Sequence, residues 1–227
     1  MEEKFQKIKE IVEKELSGVD AGHDLNHVMR VYSLCLKLTK GMKDIDLEVL
    51  ELAALLHDVG GMGELKDKTG KVCHAKLSAE MAQNILKKFG YSQDKINKII
   101  HCILAHRYRT GVKPKTKEAK ILFDADKLDA LGAIGVARAY IWIGNNKAQI
   151  YSNISLREYI KENIVGSRAN GRIKDKSKHN PFFEFELKLK RLPNKLYTQE
   201  AKKIAKERLS YMESFFDRLK EEIKGGL

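Results

Sequence analysis

Leu52-Ala53-Ala54-Leu55-Leu56-His57-Asp58-Val59-Gly60-Gly61 carries an apolar helical run into a histidine, an aspartate and two glycines. Desolvating an imidazole or a carboxylate without a partner costs several kcal/mol. Something must therefore compensate His57 and Asp58 at the end of so apolar a helix. A divalent cation would do so, accepting a nitrogen and an oxygen ligand and favoured by the negative end of the helix dipole. Ordinary capping hydrogen bonds at a helix terminus are the alternative that the dipeptide alone leaves open. Gly60 and Gly61 can take positive φ, so the helix can stop there and leave both side chains facing a cavity.

Outward from this stretch the periodicity is helical nearly throughout. Residues 2–17 place Phe5, Ile8, Val12 and Leu16 on one face. A second helix, from about Asp24 to Lys40, buries Val28, Val31, Leu34, Cys35 and Leu38. Asp44 or Asp46 caps the third, which ends in His57-Asp58. Residues 60–74 read as a loop, about 76–89 as a helix, and Ser92 as the cap of another. A very apolar helix near 117–143 follows, then a capping box at Ser155–Glu158 and a last long helix starting at Thr198. Residues 166–181 are polar and basic and read as a mobile loop. The expected fold is all-α: one domain over 1–227, with a C-terminal helical extension, 150–227, packed back on the rest.

The 227 residues suffice for a substantial core, and 43% hydrophobic with 33% charged residues excludes a disordered chain. No apolar run reaches the roughly 20 residues that a membrane span requires. The charged start, Met1-Glu2-Glu3-Lys4-Phe5, lacks a signal-peptide core, so a cytoplasmic protein is expected. Cys35, Cys73 and Cys102 are too dispersed for a CxxC zinc or redox site. A net charge of +12 favours anionic partners without choosing among them.

The polar residues that interrupt apolar helical faces form a pattern. His27 lies between Asp24 and Arg30 on one face, His57 and Asp58 end the third helix, and Asp124, Asp126 and Asp129 break the apolar helix beyond. His74 and His106 flank the fourth and fifth helices. One shared cation would neutralise these otherwise unexplained groups economically.

His27, then His57-Asp58, then Asp126 within Asp124-Ala-Asp-Lys-Leu-Asp129, resembles the H…HD…D signature of the HD-domain metal-dependent phosphohydrolases. The resemblance extends over Gly22-His-Asp-Leu-Asn-His-Val-Met-Arg-Val31 and Asp124 to Arg138, and is strongest across about 22–138. It is similar to the small stand-alone subgroup of that family, some members of which hydrolyse nucleoside triphosphates. The resemblance implies an HD-domain-like helical bundle whose metal ligands are His27, His57, Asp58 and Asp126. It alone separates Asp126 from Asp124. It also sets His74 and His106 where two-metal relatives carry extra histidines, as a second metal site or a phosphate contact. The Glu-Asp pair of guanosine-tetraphosphate hydrolases and the Gly-Tyr-Pro motif of cyclic-dinucleotide phosphodiesterases are both missing. Glu64 and Asp67 are the nearest acids after the HD pair.

The implied activity is hydrolysis of a nucleotide or related phosphorylated small molecule, including nucleoside triphosphate pyrophosphohydrolysis, by attack of metal-bound water on phosphorus. Mixed nitrogen and oxygen ligation suits Mn, Co, Ni, Fe or Zn better than Mg. Asp58 or Asp126 is the candidate proton acceptor. Arg30 and Lys127 flank ligand positions and are candidates for phosphate contacts, with salt bridges to Asp24 or Asp129 as the alternative. Arg107, Arg109, Arg168, Arg172 and Lys174 are candidates for an outer basic rim. A metal oxygenase on an HD-like fold and a basic nucleic-acid-binding helical module are the rival readings. The latter is disfavoured because most Phe and Tyr residues lie on apolar helical faces.

Overall fold

The computed structural model describes residues 2–67, 69, 71–107, 110–167 and 172–226. Among these every regular element is a helix, and the single β interaction is an isolated bridge between Ile164 and Ile173. The fold is all-α, and the chain forms two compact units, Met1–Lys127 and Leu128–Leu227. No helix among the described residues is long and apolar enough to cross a membrane. Arg109 and Arg168 lie outside the described residues, as does part of the expected mobile loop.

In the first unit α1 (Glu2–Glu15) buries Ile8 and Val12. Helix α2 (Leu25–Leu38) starts at Asp24, whose side chain accepts from the backbone of His27 at 3.0 Å. Helix α3 (Leu47–Leu56) is capped by Asp46, which accepts from Val49 N at 3.1 Å. Polar residues are few on α3, and Leu50, Ala53, Ala54, Leu55 and Leu56 are fully buried. A helix apolar all round belongs at the centre of a fold, and α3 packs against α2 and α6 and also meets α1 and α5. Burying each of its leucines is worth about 1.5–3 kcal/mol.

Residues 60–74 are not all loop, because Gly61–Lys66 forms the short helix α4. Nor does Gly60 stop α3 by adopting positive φ: its φ is −89°. The reason for glycine is space, since a Cβ there would stand 2.7 Å from Ser78 N on the next helix. That helix, α5 (His74–Lys88), pairs with α6 (Gln93–Ala105), which Ser92 caps. Helix α7 (Lys117–Asp129) buries Ile121, Leu122, Phe123 and Ala125.

The long helix expected near 117–143 is two helices, α7 and α8 (Gly132–Asn145). The chain turns between them at Gly132, whose φ of +74° is strained for any residue with a Cβ. In the second unit Asp129 accepts from Arg138 at 2.8 Å, and Arg208 donates to Leu128 O at 2.6 Å. Helix α9 (Leu156–Asn163) carries the Ser155–Glu158 capping box. Helix α10 (Pro181–Leu187) starts on Asn180, and α11 (Gln199–Ile223), capped by Thr198, packs on α8. Tyr159, Ile164, Phe183 and Leu187 form a buried cluster there. The buried ring of His179 joins it, accepting from Tyr159 Oη–H at 2.6 Å through Nδ1 and meeting Glu184 through Nε2 at 3.3 Å.

Candidate metal centre

Helices α3 and α6 end in the same way. His57 and His106 are their C-cap residues, and each ring turns back on its own helix. His57 Nδ1 lies 2.8 Å from Ala54 O, and His106 Nδ1 lies 2.6 Å from Ile103 O. A carbonyl only accepts, so in each ring Nδ1 carries the hydrogen and Nε2 keeps its lone pair. Both rings are buried. Burial pushes both imidazole pKa values down, that of His106 to about 3. They therefore stand as neutral nitrogen ligands at neutral pH.

Three of the four residues expected to bind one metal gather tightly. His27, His57 and Asp58 bring ligand atoms within 4.8 Å of one another. His27 Nε2 lies 3.3 Å from His57 Nε2 and 3.5 Å from Asp58 Oδ2. Asp126 reaches the same group through His27, its Oδ1 standing 3.6 Å from His27 Nε2. A second trio adjoins the first: Asp58, His74 and His106. Here Asp58 uses its other oxygen, Oδ1, 3.4 Å from His74 Nε2 and 3.5 Å from His106 Nε2. The two imidazole nitrogens are themselves 3.3 Å apart. Asp58 thus stands between two pairs of imidazoles, one pair on each carboxylate oxygen.

The arrangement is rich in lone pairs and short of hydrogens. Asp58 Oδ1 is buried and has no hydrogen-bond partner. A buried acceptor left so costs about 1–3 kcal/mol, more when charged. Burial opposes ionisation of Asp58, yet His57, His27, His74 and His106 around it hold its carboxyl well below the usual range. Burial likewise opposes ionisation of Asp126, and Lys127 foremost overrides it. The negative ends of α3 and α6 point at the same place. Nitrogen lone pairs and carboxylate oxygens are donors that suit a divalent transition cation, and the two helix C-termini favour its charge.

The remaining sequence candidates are distributed around this centre. Lys127 Nζ donates to Asp126 Oδ2 at 2.6 Å and to His106 O at 3.0 Å. Arg30 is half-buried on α2, one turn beyond His27. Asp124 is fully buried on α7. Glu64 lies in a bidentate pair with Arg107, at 2.6 and 2.8 Å. Burial raises its pKa, but Arg107 and His74 prevail and hold it at about 2. Arg107, expected on an outer rim, is thus engaged beside the histidines. Asp67 accepts from Thr69 and Val72 and shapes its own turn. Sequence reasoning did not find the carbonyls of Ala54 and Ile103, nor the Arg107–Glu64–His74 chain. A histidine closing each of two apolar helices was the signal available for the carbonyls.

The HD domain family model matches residues 24–131. Over 224 residues the chain is 30% identical to YpgQ of Bacillus subtilis (strain 168), spanning 97% of this chain and 94% of that one. The chain belongs to the HD-domain family. Solved structures of similar proteins share the fold. The crystal structure of Bacillus subtilis YpgQ in complex with ADP superposes with a TM-score of 0.69 at 25% identity, covering 97% of this chain and 95% of that one. A Lactobacillus plantarum protein gives 0.73 at 26% identity over 99% of both chains. An HD-superfamily hydrolase from Bacillus thuringiensis gives 0.69 at 25% over 98% of both. HD domains bind divalent metals, and the present one is a metal-dependent hydrolase with a His/Asp cluster able to hold such an ion.

Proposed function

We propose that this HD domain hydrolyses a phosphoester or phosphoanhydride bond of a nucleotide, using two cation sites that share Asp58. The observation that carries the reading is the division of labour within one carboxylate. Asp58 Oδ2 faces His27 and His57, while Oδ1 faces His74 and His106. His27, His57, Asp58 and Asp126 are assigned to the first ion; His74 and His106, with Asp58, to the second. The nitrogen content favours Mn, Co, Ni, Fe or Zn over Mg. Such ions, when bound, acidify water and polarise a phosphoryl oxygen.

The protein's own groups do the rest. Lys127 holds Asp126 Oδ2 and leaves Oδ1 turned towards His27. Asp58 and Asp126 are both ionised, and one of the two accepts the proton of the attacking water. Arg30 and Lys127 are assigned to the substrate phosphates, whose developing charge they offset. A nucleotide substrate is supported by the relative YpgQ, which has been crystallised in complex with ADP. The net charge of +12 suits an anionic ligand.

The test is a screen of the Mn-loaded protein against nucleoside mono-, di- and triphosphates, reading phosphate and pyrophosphate separately. Hydrolysis of at least one nucleotide is expected, abolished by chelation and by Asp58→Ala. Turnover of none of them, by protein shown to hold metal, would remove the nucleotide assignment.

A further inference from the structure

We propose that Glu64, clamped by Arg107, is the positioning residue that sets the ring of His74 and thereby the affinity of the second cation site. The inference rests on the two-cation reading above and adds residues to it that bind no ion themselves. It starts from a difference among the imidazoles. His57 and His106 are fixed by backbone carbonyls of their own helices, which no substitution removes. Among the described residues no backbone carbonyl holds the ring of His74 in this way. It opens α5, its side chain is 21% exposed, and the residue before it, Cys73, does not cap the helix with its side chain, which accepts from Arg107 instead.

Glu64 of α4 supplies both missing contacts. Its Oε2 accepts from the backbone N–H of His74 at 2.8 Å and lies 2.8 Å from the ring Nδ1. The first contact caps α5 in place of Cys73. The second puts the ring hydrogen on Nδ1, so that Nε2 meets Asp58 Oδ1 with a lone pair. Without an acceptor at Nδ1 the ring hydrogen can sit on Nε2, where it would block a metal.

Arg107 makes the carboxylate rigid. Its guanidinium grips both oxygens, Nη1 to Oε2 at 2.6 Å and Nη2 to Oε1 at 2.8 Å. A forked pair fixes the plane of a carboxylate as a single lysine contact cannot. Arg107 directly follows His106, the other imidazole of the second site. The chain His106, Arg107, Glu64, His74 therefore closes around that site and sets its two rings relative to each other. The first site, on His27 and His57, shares none of these contacts.

The experiment is a calorimetric Mn²⁺ titration of the full chain as wild type, Glu64→Gln, His74→Ala and the double variant. Wild type is expected to take up two ions. Glu64→Gln should leave the first unchanged and weaken the second by about 10- to 100-fold, the usual cost of losing a group that orients a ligand. Because Glu64 acts through His74, the loss should vanish in the His74→Ala background. Arg107→Lys, which keeps the charge but not the fork, should weaken the second ion by less and serves if Glu64→Gln does not fold. Thermal unfolding in chelator checks that each variant is folded. Wild-type uptake of a single ion overturns the two-cation reading and this inference together. Uptake of two ions with an unaltered Glu64→Gln titration, equal weakening of both ions, or the same loss without His74, overturns the inference alone.

Discussion

The backbone N–H of Gly60 donates to Ser78 Oγ at 2.9 Å, and a Cβ on Gly60 would stand 2.7 Å from Ser78 N. Gly60, the second residue after the HD pair, is thereby pressed onto α5, the helix that begins with His74. Gly60→Ala must push the helices apart, at an expected cost of about 1–3 kcal/mol. Ser78→Ala leaves a buried N–H without its acceptor, at about 1–3 kcal/mol. Urea unfolding of each variant measures these losses. Gly60→Ala should also weaken metal uptake because it displaces Asp58, and a variant of wild-type stability would refute the packing argument.

A second expectation concerns stability in the absence of metal. Asp58 Oδ1 is buried without a hydrogen bond, a costly state that a bound cation would relieve. Mn²⁺ at one hundred times its dissociation constant should stabilise wild type by about 2.7 kcal/mol per site. Asp58→Asn should show no such shift. Differential scanning calorimetry with and without Mn²⁺ decides; an Asp58→Asn chain that still gains stability from the ion contradicts the ligand role.

How much of this could be read from the chain depends on the kind of interaction. Helices α1, α2, α3, α6 and α11 were legible because each pairs a clear apolar face or run with a side-chain cap or a breaker, as at Asp46, Ser92 and Thr198. The break at Ala130-Leu131 was not, because apolar residues continue across it and only Gly132 marks the turn. The gathering of His27, His57 and Asp58 followed from buried polar groups that had to find one another. From sequence Gly60 reads as a matter of φ, because its close approach to Ser78 is a tertiary fact. Glu64 was noted as a nearby acid, but its grip on His74 depends on how α4 meets α5, which no local pattern encodes.

Arg30 and Lys127 separate two ways of losing activity. Lys127 Nζ is 2.6 Å from Asp126 Oδ2, so Lys127→Met should weaken Mn²⁺ uptake as well as substrate binding. Arg30→Gln should raise KM by about 10- to 100-fold, as expected for a lost charge-assisted hydrogen bond, and leave metal content unchanged. Steady-state kinetics with metal analysis on the same samples distinguishes the pair. Should Arg30→Gln lose metal in step with Lys127→Met, Arg30 serves the centre and not the phosphates.

The second unit carries its own pH dependence. Burial works against the charge of Glu184, but Lys188 and His179 outweigh it and hold the carboxyl at about 2. An unfolded glutamate titrates near about 4.3. Between these values the unfolded chain binds more protons than the folded one, so stability falls as the solution is acidified. The contribution is fully present above about 4.3 and is lost as pH drops towards 2. Glu184→Gln removes this term and leaves His179 Nε2 beside a neutral acceptor. Wild type should therefore be the more stable at pH 7, with the difference shrinking by pH 3. Denaturant unfolding of both proteins at the two pH values measures it, and a difference that stays constant would show that the Glu184 carboxylate contributes nothing through its charge.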